Sequence, residues 1–261
     1  MLAPDRAARG QPQNAAHAPL HRAGSGTDRV MNTLPQGYRA LVIGAGGALG
    51  GAFAQCLQAD PRCAAVRALG RRTEPPVDVA DEAGIAAAAV KLREHAPFQL
   101  VVVATGVLHT ARAQPEKRLA DLSAAAMEEV FRINAIGPAL LLRHLSPLLD
   151  RQRSLMALLS ARVGSIGDNR LGGWYSYRAS KAALNMLVRT AAIELRRTHP
   201  GAVLAALHPG TVKSALSRPF RGDEIGREPP AAAADMLAAL DALGPDDSGC
   251  FLAYDGQRLP W

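Results

Sequence analysis

A glycine-rich turn between a short apolar segment and a helical pattern constrains the fold of this chain more than any other feature. The apolar residues 39–43 are typical of a buried strand, and the glycine-rich residues 44–51 follow at once. Residues 52–57 then show a helical pattern. Glycines let the backbone approach a pyrophosphate, and the amino end of a helix offers it free N–H groups. This order predicts a nucleotide-binding turn, with a glycine-rich turn that holds no ligand as the alternative.

Short apolar segments alternate with helical patterns along the rest of the chain. Further strands are predicted over residues 64–69, 77–79, 98–103, 155–159, 203–207 and 249–254. Helices are predicted over residues 82–95, 121–144 and 229–243, and Asp81 is expected to cap the first of them. This alternation is typical of an α/β protein with a doubly wound parallel sheet (a Rossmann fold), here of about seven strands with helices on both faces.

Tyr177 and Lys181 lie four residues apart at the start of another predicted helix, so both side chains are expected on one helix face. Apolar residues recur at helical spacing between positions 184 and 195, and Pro200-Gly201 then ends the pattern. Free tyrosine has a pKa of about 10, and a nearby cation lowers it. The pair predicts a tyrosine that exchanges protons near neutral pH, although this spacing alone also occurs by chance on amphipathic helices.

Two arginines, Arg71 and Arg72, follow the second predicted strand. In a dinucleotide-binding fold an acidic residue there binds the ribose 2′-hydroxyl, whereas an arginine accommodates a 2′-phosphate. Because no acidic residue stands at this position, the sequence favours NADP(H) over NAD(H) as the cofactor. The alternative is that both arginines simply lie in a solvated loop.

Residues 1–36 differ from the rest, since they are rich in Ala, Pro, Gly and Arg and lack a sustained apolar period. They are expected to form a disordered extension before a single catalytic domain at residues 37–261, with a start at Met31 as an alternative. The net charge of +7 comes mostly from scattered arginines without a nucleic-acid-binding motif. No apolar run is long enough to span a membrane, and the three cysteines lack metal-ligand spacing. We therefore expect a cytoplasmic protein that binds neither nucleic acid nor membranes.

Together these residues resemble the short-chain dehydrogenase/reductase family, and within it the C-factor-type reductases. The resemblance covers residues 38–261 and follows the family's order of motifs, which here are the glycine-rich turn, the small-residue bend at 104–106, Asn134, Ser160, Tyr177 with Lys181, and Pro209-Gly210. It implies hydride transfer between NADP(H) and a small-molecule carbonyl or alcohol substrate. It also implies a homo-oligomer, either a dimer or a tetramer. The alternative is a non-catalytic NADP-binding signalling or interaction module on the same fold.

The resemblance implies roles for individual residues. Tyr177 is the expected general acid or base, Lys181 lowers its pKa, Ser160 donates to the substrate oxygen, and Asn134 holds a water in a proton relay. The residues expected to bind the cofactor are Gly44, Gly46, Gly50, Arg71, Asp78, Thr105, Gly106, Asn134, Tyr177, Lys181, Val212 and Ser214. No metal ligand is expected.

The catalytic serine is the open assignment. The family often carries two serines at this strand end, of which the second acts, but here Ser160 is followed by Ala161. Either Ser160 serves after a local shift, or Ser165 takes its place.

Overall fold

Six parallel strands form the central sheet of the part of the chain that the computed structural model describes, residues 31–261. The strands are β1 (Tyr38–Ile43), β2 (Cys63–Leu69), β3 (Leu100–Val103), β4 (Ser154–Leu159), β5 (Ala202–His208) and β6 (Cys250–Ala253). Their order in the sheet is β2-β1-β3-β4-β5-β6. After β1 the chain first adds β2 on one side of it and later adds β3 to β6 on the other side. The carboxyl ends of β1 and β3 therefore flank the crevice where ligands bind in sheets of this kind.

Helices cover both faces of the sheet. Within the described residues they are α1 (Ala48–Gln58), α2 (Glu82–Leu92), α3 (Ala124–Phe131), α4 (Gly137–Leu145), α5 (Tyr175–Leu195), α6 (Gly222–Ile225) and α7 (Pro229–Asp241). The Gly84 N–H donates to Asp81 Oδ1 at 3.1 Å, so the predicted cap of α2 is confirmed. A π-helical turn, Arg132–Ile136, joins α3 to α4. None of the helices in this part of the chain is long and apolar enough to cross a membrane.

The core consists of two apolar layers, one on each face of the sheet. Val101 and Val103 of β3 belong to the layer that includes residues of α2, α4 and α5, whereas Leu100 and Val102 belong to the layer of α1 and α7. This division follows from the alternation of side chains along a strand. Because both faces are covered, the central strands β3 and β4 are buried along their whole length, whereas the edge strand β2 carries the exposed Arg67.

The described sheet has six strands rather than about seven, because residues 77–79 form no strand. They follow Pro75-Pro76, whose nitrogens carry no hydrogen to donate to a neighbouring strand. The Val77 N–H instead donates to the Gly70 carbonyl at 2.9 Å, which closes a loop. Val77 and Val79 are nevertheless buried in the core. The apolar alternation that predicted a strand therefore reflects burial of a connecting loop.

The first described residues pack against the domain. Met31 and Leu34 are each 2% exposed. The N–H groups of Asn32 and Thr33 both donate to the Asp241 carboxylate at 2.9 Å. The expectation of disorder as far as residue 36 is thus wrong for residues 31–36, because apolar contacts and a buried carboxylate hold this segment. The rest of the expected extension, residues 1–30, lies outside the described residues.

Candidate active site

Tyr177 and Lys181 lie at the amino end of α5, where that helix meets the carboxyl end of β4. The Lys181 Nζ donates to the carbonyl of Leu159, the last residue of β4, at 2.9 Å. It lies 5.9 Å from the centroid of the Tyr177 ring. Tyr177 is 9% exposed to solvent and Lys181 is 3% exposed. The two predicted acid–base residues are therefore brought together and largely removed from water.

Burial shifts the pKa values of both groups toward their neutral forms. It raises the pKa of Tyr177 above its ordinary value and lowers the pKa of Lys181 from 10.5 to about 8. For Tyr177 this direction is opposite to the one predicted from the lysine charge. The physical reason is that the Lys181 ammonium is directed at the Leu159 carbonyl, so desolvation dominates over its attraction for a phenolate. Near neutral pH the pair is an ammonium beside a neutral phenol.

Asn134 ties the bend after β3 to the helices. Its side chain is fully buried, accepts a hydrogen bond from the Val107 N–H and donates one to the Val107 carbonyl, both at 2.8 Å. It also donates to Ser180 Oγ at 3.1 Å. A Cβ atom on Gly106 would lie 3.1 Å from Lys181 Nζ and 3.3 Å from Asn134 Oδ1. The glycine therefore permits the close approach of Asn134, Lys181 and the backbone.

The Ser160 hydroxyl is hydrogen-bonded to another side chain. Its Oγ is buried and donates to Asn185 Oδ1 at 2.6 Å, and a hydroxyl has one proton to donate. Ser165 is also buried, and its Oγ accepts the Asp168 N–H at 3.1 Å. Ala161 is extended, with φ −147° and ψ 143°, so its side chain points away from that of Ser160. At this strand end Ala161 packs with Tyr177. The choice between Ser160 and Ser165 as the catalytic serine stays a prediction.

The turn between β1 and α1 requires two of its glycines and leaves space at a third. Gly44 has φ +89°, and a Cβ there would lie 2.8 Å from the Ala104 carbonyl oxygen. A Cβ on Gly50 would lie 2.1 Å from the Gly44 oxygen, whereas one on Gly46 would meet nothing within 4 Å. Gly47, which precedes α1, forms no side-chain cap. The helix N–H groups at this open turn are thus available to an anionic ligand.

Two further observations fit a phosphorylated cofactor at the carboxyl end of the sheet. Arg71 and Arg72 are exposed after β2, and neither forms an ion pair within the described part of the chain. Thr105, in the bend after β3, has a buried Oγ1 without a hydrogen-bond partner among the described residues. A buried unpaired hydroxyl is costly unless a ligand or water completes it. The residues present therefore fit NADP(H): cations for a phosphate, and a hydroxyl for a hydrogen bond.

The remaining residues predicted to bind the cofactor lie in turns that follow β2 and β5. Asp78 Oδ1 accepts the Ala80 N–H at 2.9 Å, so this carboxylate already serves its own loop. After β5, Val212 is 5% exposed and its carbonyl accepts a hydrogen bond from Ser217 Oγ at 2.5 Å. Ser214 Oγ lies 3.2 Å from Ser217 Oγ. Val212 and Ser214 are thus held in a loop closed by the Ser217 hydroxyl.

Sequence reasoning missed Glu116, which caps α5 from a distant loop. Its carboxylate is buried and accepts both the Ser176 N–H, at 3.1 Å, and the Ser176 hydroxyl. The Glu116 carbonyl accepts the Trp174 N–H at 2.5 Å. No local pattern signals a cap that lies 60 residues from its partner. Asn185 was also missed, although its position eight residues after Tyr177 places it on the same helix face.

Proteins of similar sequence include several with oxidoreductase names. A family model described as enoyl-(acyl carrier protein) reductase matches residues 50–254. A 1-hydroxy-2-glutathionyl-2-methyl-3-butene dehydrogenase of Rhodococcus sp. (strain AD45) is 34% identical over 194 residues, which are 74% of this chain and 82% of that protein. The C-signal of Myxococcus xanthus is 39% identical over 145 residues, covering 55% of this chain and 83% of its own.

Solved structures of carbonyl reductases share the fold. The NADPH-bound carbonyl reductase from chicken fatty liver is 27% identical, covers 92% of this chain and all (100%) of its own, and superposes with a TM-score of 0.75. A carbonyl reductase from Pseudomonas aeruginosa PAO1 in complex with NADP is 25% identical and covers 86% of this chain and 100% of its own, with a TM-score of 0.69. The described sheet and helices thus match those of known nicotinamide-binding enzymes.

Proposed function

The chain belongs to the short-chain dehydrogenase/reductase family of oxidoreductases, and from this premise we propose that it is an NADP(H)-dependent carbonyl reductase or alcohol dehydrogenase. The observation that carries the proposal is the buried Tyr177–Lys181 pair, which lies at the carboxyl end of the sheet, as does the open glycine turn. Fold alone does not decide function, which depends on these side chains. Binding of NADPH and NADP by the two carbonyl reductases supports the choice of cofactor.

The chain's own residues suit the parts of such a cofactor. Gly44, Gly46 and Gly50 would shape the turn that faces the pyrophosphate, and Arg71 would lie by the 2′-phosphate. The buried Thr105 Oγ1 would gain the hydrogen bond that it lacks within the described chain. When bound, the reduced nicotinamide supplies the hydride, which is chemistry that amino-acid side chains do not provide.

Tyr177 would move the proton. Its phenol, kept neutral by burial, donates a proton to the carbonyl oxygen of the substrate as negative charge develops there. The phenol O–H bond breaks, the O–H bond of the product alcohol forms, and the resulting phenolate lies near the Lys181 ammonium. The attraction between these opposite charges offsets part of the burial cost of the phenolate. Oxidation of an alcohol uses the same groups in reverse.

Asn134 and Ser160 take positioning roles in this proposal. Asn134 holds the bend at Val107 against α5 through three hydrogen bonds, which keeps Gly106 beside the Lys181 ammonium. The hydrogen bond from Ser160 Oγ to Asn185 Oδ1 supports a positioning role for Ser160. Tyr177 is therefore the hydroxyl to which we assign the proton transfer. The expected homo-oligomer and cytoplasmic location stay predictions.

The test is NADPH oxidation across a panel of ketones and aldehydes. Tyr177→Phe is expected to lower kcat/KM at least about 100-fold, since positioned acid–base groups contribute factors of that order. Tyr175→Phe is the matched control, because it makes the same change two residues earlier on α5, and it should retain activity. Equal turnover by wild type and Tyr177→Phe would refute the assigned role.

Cofactor choice is tested on the same preparations. Comparison of NADPH with NADH, in wild type and Arg71→Ala, should show a preference for NADPH that falls in the variant; an unchanged ratio would remove Arg71 from the site. The similarity to a protein named C-signal keeps a second candidate, a non-catalytic NADP-binding module. Binding of NADPH without turnover of any carbonyl in the panel would favour that module.

A further inference from the structure

Apolar side chains from four separate loops converge on Tyr177. Leu108 and Ala161 form a buried cluster with the tyrosine, and four more side chains pack against it: Val163, Trp174, Leu216 and Phe220. The Trp174 ring contacts Tyr177 edge-on at 6.2 Å between centroids and Phe220 edge-on at 5.2 Å. We call Leu108, Val163, Trp174, Leu216 and Phe220 the aromatic cap.

One wall of the aromatic cap is held firmly by hydrogen bonds. The Trp174 N–H donates to the Glu116 carbonyl at 2.5 Å. Arg178 donates from Nε to the Gly173 carbonyl at 2.9 Å and from Nη1 to the Val163 carbonyl at 3.2 Å. Trp174 and Val163 are therefore tied to the amino end of α5. The backbone that carries the Trp174 indole is therefore held in place on this side.

Leu216 and Phe220 lie on a second short segment, whose charged side chains are exposed. Arg218 pairs with Asp223 at 3.1 Å, with side chains 70% and 55% exposed. Arg221 pairs with Glu224 at 2.7 Å, with side chains 73% and 62% exposed. The inner surface of this segment is contributed by Leu216 and Phe220. The charged groups of this segment thus pair with each other in solvent.

We propose that the aromatic cap is the substrate surface and that it selects carbonyl compounds whose reacting carbonyl is attached to an uncharged aromatic ring. The inference rests on the proposed function. Because Tyr177 is 9% exposed, a substrate that reaches it must lie among the cap residues. The aromatic ring of a bound substrate can make an edge contact equivalent to the one between Phe220 and Trp174 that it replaces.

The same surface disfavours a substrate with a carboxylate beside the carbonyl. All five cap side chains are apolar, and a charge buried without a partner is strongly unfavourable. The Lys181 ammonium is already directed at the Leu159 carbonyl. His109, whose ring lies 6.0 Å from that of Phe220, is a neighbour of the cap and not one of its members. Discrimination against a 2-oxo acid therefore follows from the composition of the cap.

The first test compares three probes of similar size: acetophenone, cyclohexyl methyl ketone and phenylglyoxylate. Wild-type kcat/KM should be about three- to tenfold higher for acetophenone than for the cyclohexyl ketone, the range that edge contacts between rings provide. Phenylglyoxylate should be the poorest of the three. Phe220→Leu should reduce the aromatic preference to less than about twofold. Equal rates, or a preference for phenylglyoxylate, would overturn the inference.

A matched control separates the cap from general effects of losing an aromatic residue. Trp261 stacks on Phe251 at 5.7 Å between centroids and lies outside the cap. Trp261→Leu makes the same kind of change as Phe220→Leu and should leave the aromatic preference as in wild type. Loss of the preference in both variants would overturn the assignment to the cap.

The second test reads binding without turnover. The chain has 2 tryptophans, so Trp261→Phe leaves Trp174 as the single tryptophan. In the presence of NADP⁺, acetophenone should change its emission saturably, the cyclohexyl ketone more weakly and phenylglyoxylate not at all. This pattern without NADPH oxidation would support the cap while refuting the proposed function. A linear, non-saturable response to acetophenone would overturn the cap, whatever the turnover.

Discussion

Lys181→Met isolates the energetic consequence of burying a lysine beside Tyr177. The residue is 3% exposed, and burial lowers its pKa from 10.5 to about 8. Methionine has a similar length without the charge. The substitution also removes the donor to the Leu159 carbonyl, which costs about 1–3 kcal/mol at any pH. The informative quantity is therefore the change with pH of the stability difference between variant and wild type.

The sign and size of that change follow from the pKa. A lysine with a lowered pKa binds more protons in the unfolded state, so wild-type stability rises between about pH 8 and about pH 10.5. Below that window the penalty is complete, at about 3 kcal/mol, since one pKa unit is worth about 1.4 kcal/mol. Methionine has no such penalty. Relative to wild type, the variant should thus lose about 2–3 kcal/mol of stability between pH 7 and pH 10.

Urea unfolding of the protein without cofactor, at intervals from neutral to alkaline pH, measures this difference. Other groups that titrate in the range are common to both proteins and cancel. Lys117→Met, at an exposed lysine, controls for the loss of a positive charge. A constant difference for Lys181→Met would refute the claim that Lys181 is buried in its charged form.

Three further substitutions test other parts of the structure. Gly50→Ala should unfold at clearly lower urea concentration, because its Cβ would lie 2.1 Å from a backbone oxygen; Gly46→Ala should fold normally and lose NADPH affinity in a binding titration. Ser160→Ala should keep kcat within about threefold of wild type, because its hydroxyl is engaged with an amide; a 100-fold loss would restore it as a catalytic group. Asp241→Ala should cost about 3 kcal/mol of unfolding free energy, because two N–H groups lose a carboxylate acceptor; a cost below about 1 kcal/mol would contradict the anchoring of residues 31–36.

The architecture could be predicted because its signals are local. Continuous apolar segments indicated strands covered on both faces, and the sheet has those strands except at residues 77–79. The four-residue spacing placed Tyr177 and Lys181 on one helix face, and their proximity in the structure agrees. Each of these inferences depends on neighbours within a turn of helix or two residues of strand, where backbone geometry sets which side chains share a face.

The direction of pKa shifts and the use of each hydroxyl could not be predicted in this way. A cation near Tyr177 suggested a lowered pKa, yet burial raises it. Ser160 stands at the expected strand end, but its proton goes to Asn185, which lies on another element. Glu116 acts on Ser176 across 60 residues. These outcomes depend on desolvation and on partners that only folding supplies.

The sequence by itself thus determined the parallel sheet, the glycine turn, the arginines after β2 and the helix that pairs a phenol with an amine. Only the tertiary structure decided that Ala161 borders that phenol, that a distant carboxylate caps its helix and that apolar rings cover it. The reason is physical: periodicity is written into adjacent residues, whereas the free energy of a charge or hydroxyl depends on which remote atoms replace its water.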